Sequence, residues 1–182
     1  MGGPSVTETP SKLTVIHKVA RIQTAGTQGP EGGEGDPGPT GATGAIGTVS
    51  AALGADHTAD GFKTADTNAG ATIAFGQLCY FDTTDAEWKL ADSNAEATTA
   101  GSLAIAMAAG ADGAAMEVLL WGFVRDDSWS WTAGARLYAG TTAGALTATA
   151  TTTTGETRRQ VGQAITAKIV YFTPFYSYAK VA

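Results

Sequence analysis

The chain has 182 residues and a formal net charge of −6. This length suits one or two domains, and the acidic balance argues against nucleic-acid binding, which needs clustered Lys and Arg. The sequence contains neither an apolar run of roughly 18 residues nor a recognisable secretion signal, so we expect no membrane-spanning helix and no signal peptide. Its single cysteine, Cys79, lies in the apolar run LCYF, which predicts a buried thiol without a disulfide partner.

Residues 1–25 are predicted to form an extended N-terminal arm. The stretch KLTVIHKVARIQT, residues 12–24, is rich in β-branched residues and predicts a strand. A lone strand is marginal in water, so it must add to a sheet of another protein or pair within its own oligomer. The residues expected to make this attachment are Leu13, Val15, Ile16, Lys18, Val19, Arg21 and Ile22.

Residues 26–49 carry eight consecutive Gly-X-Y triplets, GTQ GPE GGE GDP GPT GAT GAI GTV. Only glycine fits at the axis of three wound polyproline-II chains, so this period predicts a collagen-like triple helix and a homotrimer. A flexible Gly-rich linker is the alternative. Proline is sparse in the triplets, so we expect a flanking region to hold the three chains in register. The predicted axial glycines are Gly26, Gly29, Gly32, Gly35, Gly38, Gly41, Gly44 and Gly47.

Residues 50–182 predict an all-β domain, a sandwich or barrel, which would form a trimeric head. Short apolar runs alternate with Gly- and Asp-containing turns, and no long helical period is present. Residues 50–70 predict a weakly structured connection, and the Ala-rich run at 102–108 predicts a strand rather than a helix. The predicted strands are 71–74, 77–81, 88–91, 102–108, 116–124, 129–131, 136–139, 158–164 and 168–172.

Several polar residues of the head could in principle bind ligands or act in catalysis, but we expect them to be solvated surface residues. The sequence shows no catalytic triad, phosphate-binding loop or zinc-ligand spacing, so we predict neither an enzyme nor a cofactor. Asp126 and Asp127 could bind a cation or act on a sugar, but we expect solvated side chains. The pair Arg158–Arg159 is expected to be a solvated strand end rather than a phosphate site.

Three tryptophans, Trp121, Trp129 and Trp131, fall within eleven residues of the head. On a strand, Trp129 and Trp131 would share one face. If exposed, these rings could stack on sugars or on another protein; if buried, they would belong to the core or to a trimer interface. We favour burial, because aromatic side chains dominate the energetics of cores and interfaces.

The head resembles a small β domain that is widespread in virion proteins of tailed bacteriophages. The similar stretches are ATIAFGQLCYFDTTDAEWKLADS, GSLAIAMAAGADGAAMEVLLWGFV, AGARLYAGTTAGALT and VGQAITAKIVYFTP. The resemblance implies a head-decoration, head-fibre or tail-fibre component without enzymatic activity. The GPT and GAT triplets are also similar to those of bacterial spore-surface filaments, but the C-terminal motifs fit the phage domain better.

We therefore expect a structural virion protein, a homotrimeric capsid decoration or head fibre that is made in the cytoplasm of a bacterial host. The arm would bind the major capsid protein or another virion protein, the stalk would set the distance, and the head would face outward. A receptor- or carbohydrate-binding tail fibre that contacts a host surface glycan is the alternative. An enzyme such as a capsule depolymerase would need more length and a carboxylate-lined groove.

Overall fold

β-Strands provide nearly all the regular structure of residues 48–182, the part of the chain that the computed structural model describes. Its single helical element is the 3-10 turn Glu96–Thr98. The prediction of an all-β domain is therefore confirmed. The arm with its attachment residues, and the triplets through Gly47, lie outside the described residues.

Eleven strands follow one another along residues 48–182. They are β1 (Thr58–Ala69), β2 (Leu78–Asp82), β3 (Glu87–Leu90), β4 (Leu103–Ala106), β5 (Ala115–Arg125), β6 (Arg136–Ala139), β7 (Leu146–Thr147), β8 (Thr157–Arg158), β9 (Gln160–Ala164), β10 (Ile169–Phe172) and β11 (Ala179–Lys180).

Three of the predicted assignments are wrong. The supposed connection at 50–70 contains β1, the longest strand, because pairing with β3 and β5 overrides the weak strand propensity of its Ala, Asp and Gly residues. Residues 129–131 are not a strand; the backbone N–H of Trp129 instead closes a turn onto the carbonyl of Asp126 at 3.2 Å. Of residues 71–74, only Ile73 makes a bridge, with Gly110.

Five strands close into a barrel in the order β1-β3-β2-β4-β5, with β5 returning to β1. The β1–β3 pairing is parallel, and the other four pairings of the barrel are antiparallel. The C-terminal half of β5 also pairs with β10, from which the sheet continues through β9, β6 and β7. β8 and β11 form a separate two-stranded pair. β5 therefore joins the barrel to the sheet extension.

The buried residues form two clusters on the two faces of β4, whose four residues are all buried. Small side chains dominate one cluster, which draws on all five barrel strands and so fills the barrel; it comprises Ala69, Ile73, Cys79, Trp88, Ala104, Ala106, Met116 and Val118. The other packs between the barrel and the extension; it comprises Leu78, Ala91, Leu103, Ile105, Leu119, Val124, Leu137, Ala139, Val161, Val170 and Phe172. Burial on both faces explains why the sequence of β4 is continuously apolar.

β1 and β5 approach each other closely at a pair of glycines. Gly61 lies opposite Gly122 in the ladder, and both have positive φ, +152° and +141°. A Cβ atom on Gly61 would lie 2.1 Å from the carbonyl oxygen of Trp121, and one on Gly122 would lie 2.3 Å from that of Asp60. Both positions therefore require glycine.

Candidate functional site

The three tryptophans of the sequence cluster lie in two different environments. Trp121 is on β5 and is 41% exposed. Trp129 and Trp131 lie in the loop after β5, where both pack against the core cluster while remaining partly exposed. Their ring centroids are 6.2 Å apart. The structure thus keeps Trp129 and Trp131 together, whereas Trp121 has other aromatic neighbours.

Those neighbours form a surface that we call the aromatic patch, made of Phe62, Trp121, Phe123 and Tyr171. Phe62 lies opposite Trp121 in the β1–β5 ladder, and Tyr171 lies opposite Phe123 in the β5–β10 ladder. The Tyr171 ring lies 4.9 Å from that of Phe123 and 5.7 Å from that of Trp121. Residues directly opposite in a ladder share one face of the sheet, so the four rings form one surface.

This aromatic patch is exposed to solvent at the point where the described chain begins. Phe62 is 67% exposed and its ladder partner Trp121 is 41% exposed, and contiguous exposed apolar side chains mark interaction surfaces. A groove of about 550 Å³ beside it is lined by Thr48, Val49, Asp60, Gly61, Phe62 and Trp121. The sequence analysis missed Phe62, because it lies in the stretch that was predicted to have weak structure.

The acidic pair after β5 is not a solvated pair, which corrects the prediction for Asp126. Asp126 is only 6% exposed, and its Oδ1 accepts hydrogen bonds from the backbone N–H of Ser128 at 2.8 Å and from the Ser128 hydroxyl. Asp127 accepts from Nε of Arg125 at 2.8 Å, and this hydrogen bond lowers the pKa of Asp127. Both carboxylates thus fix the turn that follows β5.

Asp56, His57 and Asp126 are the described residues that could hold a cation, since one ligand atom from each lies within 4.8 Å of the others. Structural zinc sites usually have four protein ligands. Asp56 Oδ1 already accepts from the backbone N–H groups of His57 and Asp127, at 2.9 and 2.7 Å. The His57 ring stacks on Phe75 at 4.4 Å. These contacts hold the segment before β1 against the turn after β5, and this structural role explains why the three side chains lie together.

Arg159 was predicted to be a solvated strand end, and this is wrong, because only 1% of the residue is exposed. The alternation of buried and exposed residues through Thr157, Arg158 and Arg159 turns the guanidinium inward. It donates from Nε to the carbonyl of Phe175 at 2.7 Å, and from Nη1 to the carbonyls of Thr99 and Gly101. Burial lowers the pKa of Arg159. Arg159 lies between β8 and β9, two positions before the apolar Val161, so counting back in steps of two from Val161 would have placed it on the buried face.

Comparison with known proteins assigns no family to this chain. No protein-family model matches the chain, and no curated protein is significantly similar to it. Within residues 48–182, no helix has the length and hydrophobicity needed to cross a bilayer.

Proposed function

We propose that this chain is a structural protein of a bacteriophage virion, a homotrimeric capsid decoration or head fibre. Residues 1–25 would be the attachment arm, residues 26–49 a collagen-like stalk, and residues 50–182 the head. One observation carries the proposal: the aromatic patch lies beside Thr48 and Val49, directly after the last Gly-X-Y glycine.

A collagen-like stalk brings three copies of the chain together at the residues where it ends. Each copy then presents its own exposed Phe62 and Trp121 next to the junction, so a second copy of the chain is the partner nearest to this surface. The exposed fractions, 67% and 41%, correspond to roughly 200 Å² if an aromatic side chain buries about 150–250 Å². Removing that area from water contributes about 5 kcal/mol per copy before the entropic cost of association.

The resemblance to the phage virion domain adds a second line of support. Its similar stretches form β2 to β5 of the barrel and the strands β6, β7, β9 and β10 of the extension. The arm supplies β-branched residues and three basic side chains, Lys12, Lys18 and Arg21, which suit strand addition to an acidic sheet edge on the capsid. The function is therefore assembly rather than chemistry.

Assembly is tested by sedimentation of full-length protein at several concentrations. The Phe62→Ser/Trp121→Ser variant should dissociate at concentrations where the parent remains a trimer. Ile165→Ser is the matched control, because Ile165 is an exposed aliphatic residue of the β9–β10 turn outside the aromatic patch; this variant should remain trimeric. A monomeric parent would refute the trimer, and a fully trimeric double variant would refute the role of the patch.

Attachment is tested with an arm-deleted protein that lacks residues 1–25. It should remain a soluble trimer but fail to bind capsids purified from the source phage, while the full-length protein binds. Trp129→Ala/Trp131→Ala, which leaves the arm intact, should bind as the parent does. Binding of the arm-deleted protein to capsids would make the head the anchor. Binding of the full-length protein to tails but not to capsids would favour a receptor-binding tail fibre.

A further inference from the structure

Arg159 is a buried cation with no anionic partner among residues 48–182. Its hydrogen-bond acceptors in that part of the chain are the backbone carbonyls of Thr99, Gly101 and Phe175. Carbonyl oxygens orient a guanidinium but do not neutralise it, and a buried charge is costly unless it is paired. A carboxylate placed beside Arg159 would supply the missing negative charge.

The guanidinium has donors to spare for such a ligand. Arginine has five N–H donors, and the three contacts from Nε and Nη1 use three of them. The two hydrogens of Nη2 have no acceptor within the described residues. A ligand oxygen bound there would make a charge-assisted hydrogen bond, which is about twice as strong as a neutral one.

Arg159 lines a cavity of about 440 Å³, within the usual range of about 300–1,000 Å³ for small-molecule sites. Aromatic rings line it as well: Trp121, Phe175 and Tyr176, which are 41%, 48% and 88% exposed. Ser102 and Thr173 add two hydroxyl groups. The cavity thus combines one buried cation with accessible ring faces and neutral hydrogen-bonding groups.

We infer that this cavity binds a sugar acid, a pyranose ring that carries a carboxylate. The carboxylate would accept hydrogen bonds from Nη2 of Arg159, and the ring would stack on the exposed faces of Tyr176 and Phe175. The hydroxyls of Ser102 and Thr173 would bond to the sugar hydroxyls. A phosphate group fits less well, because Arg159 is the one cationic side chain that lines the cavity.

The inference does not depend on capsid attachment. Trp121 belongs to both the aromatic patch and this cavity, so the site lies at the rim of the proposed subunit interface. A protein that forms trimers and joins capsids but binds no sugar acid would overturn this inference alone. Conversely, sugar-acid binding by a monomer would leave this inference intact and overturn the trimer.

The test is a titration of the full-length protein with D-glucuronate, D-glucuronamide and acetate. Binding is monitored by ligand-observed NMR and by tryptophan fluorescence. Glucuronate should bind about tenfold more tightly than the uncharged amide, which lacks the charge-assisted bond, and more tightly than acetate, which lacks the ring. Tyr176→Ala should weaken glucuronate binding without unfolding the head, because Tyr176 is almost fully exposed. Tyr178→Phe is the matched control from the same segment, and its affinity should be unchanged.

Arg159→Lys keeps the charge but loses the planar fork, so a folded variant should bind glucuronate about tenfold more weakly. If this variant does not fold, the comparison of ligands and Tyr176→Ala still decides the question. Equal binding of glucuronate and glucuronamide would overturn the role of Arg159. Equal binding of acetate, or no effect of Tyr176→Ala, would overturn the sugar assignment. Preferential binding of an N-acetylglutamate peptide would indicate a protein partner instead.

Discussion

Gly122→Ala should sharply destabilise the head, because this glycine lies where β1 and β5 come closest. An added Cβ would meet the carbonyl oxygen of Asp60 at 2.3 Å and Cα of Gly61 at 2.6 Å. Both are backbone atoms, so no side chain can move aside to make room. The methyl group fits only if β1 and β5 separate, and their pairing closes the barrel.

The magnitude follows from two separate costs. A non-glycine residue at φ +141° carries about 1–3 kcal/mol of backbone strain. Forcing a methyl group into a filled space typically costs a further 1–3 kcal/mol or so. Together these predict a loss of about 2–6 kcal/mol in the free energy of unfolding, a large share of the stability of a typical domain.

Substitutions at two other glycines distinguish the cost of backbone strain from the cost of overpacking. Gly113 has φ +76° with no atom within 4 Å of an added Cβ, so Gly113→Ala should lose only about 1–2 kcal/mol from strain. Gly101 has the same open space without a positive φ, so Gly101→Ala should be neutral or stabilising by about 0.4–1 kcal/mol.

The assay is urea unfolding of the full-length variants, followed by tryptophan fluorescence. The protein concentration is held fixed, because association would change the apparent stability. The expected order of unfolding midpoints is Gly101→Ala highest, then Gly113→Ala, then Gly122→Ala. A Gly122→Ala midpoint equal to that of Gly101→Ala would refute the close approach of the two strands.

Two further predictions concern titratable groups. Burial raises the pKa of the Cys79 thiol to about 12, so iodoacetamide at about pH 8 should modify the urea-unfolded protein far faster than the native one; equal rates would place the thiol at the surface. Arg125 lowers the pKa of Asp127 below 3.8, so this carboxylate's contribution to stability is present above pH 3.8 and is lost as the pH falls through the lower native value. Asp127→Asn should therefore flatten the loss of stability in acid unfolding below that pH, and identical curves for variant and parent would contradict this.

The sequence predicted the parts of the fold that local pattern determines. The apolar run of β4 and the Asp-Gly turn before β5 follow from short stretches alone, and Gly113 in that turn has the positive φ that such a turn needs. The buried state of Cys79 followed in the same way.

The missed features depend on contacts between distant residues. β1 is held by β5, with Phe62 paired to Trp121 across 59 positions, and nothing in its composition indicates a strand. Asp126 is buried by a turn that packs near His57. Arg159 lies two positions before the apolar Val161, between β8 and β9, but its charge argued for exposure. For these reasons, neither the aromatic patch nor the Arg159 cavity could be predicted from the sequence.

Because β5 is shared between the barrel and the extension, we expect these two parts of the head to unfold as one cooperative unit. Residues Gly122 to Val124 of β5 pair with β1 on one side and with β10 on the other. The barrel therefore cannot open along β5 without disturbing the strand that holds the extension, and the extension cannot detach without disturbing the barrel. Local opening should be confined to short segments such as β11, while the amide hydrogens in the middle of β5 should exchange with deuterium only when the whole head unfolds.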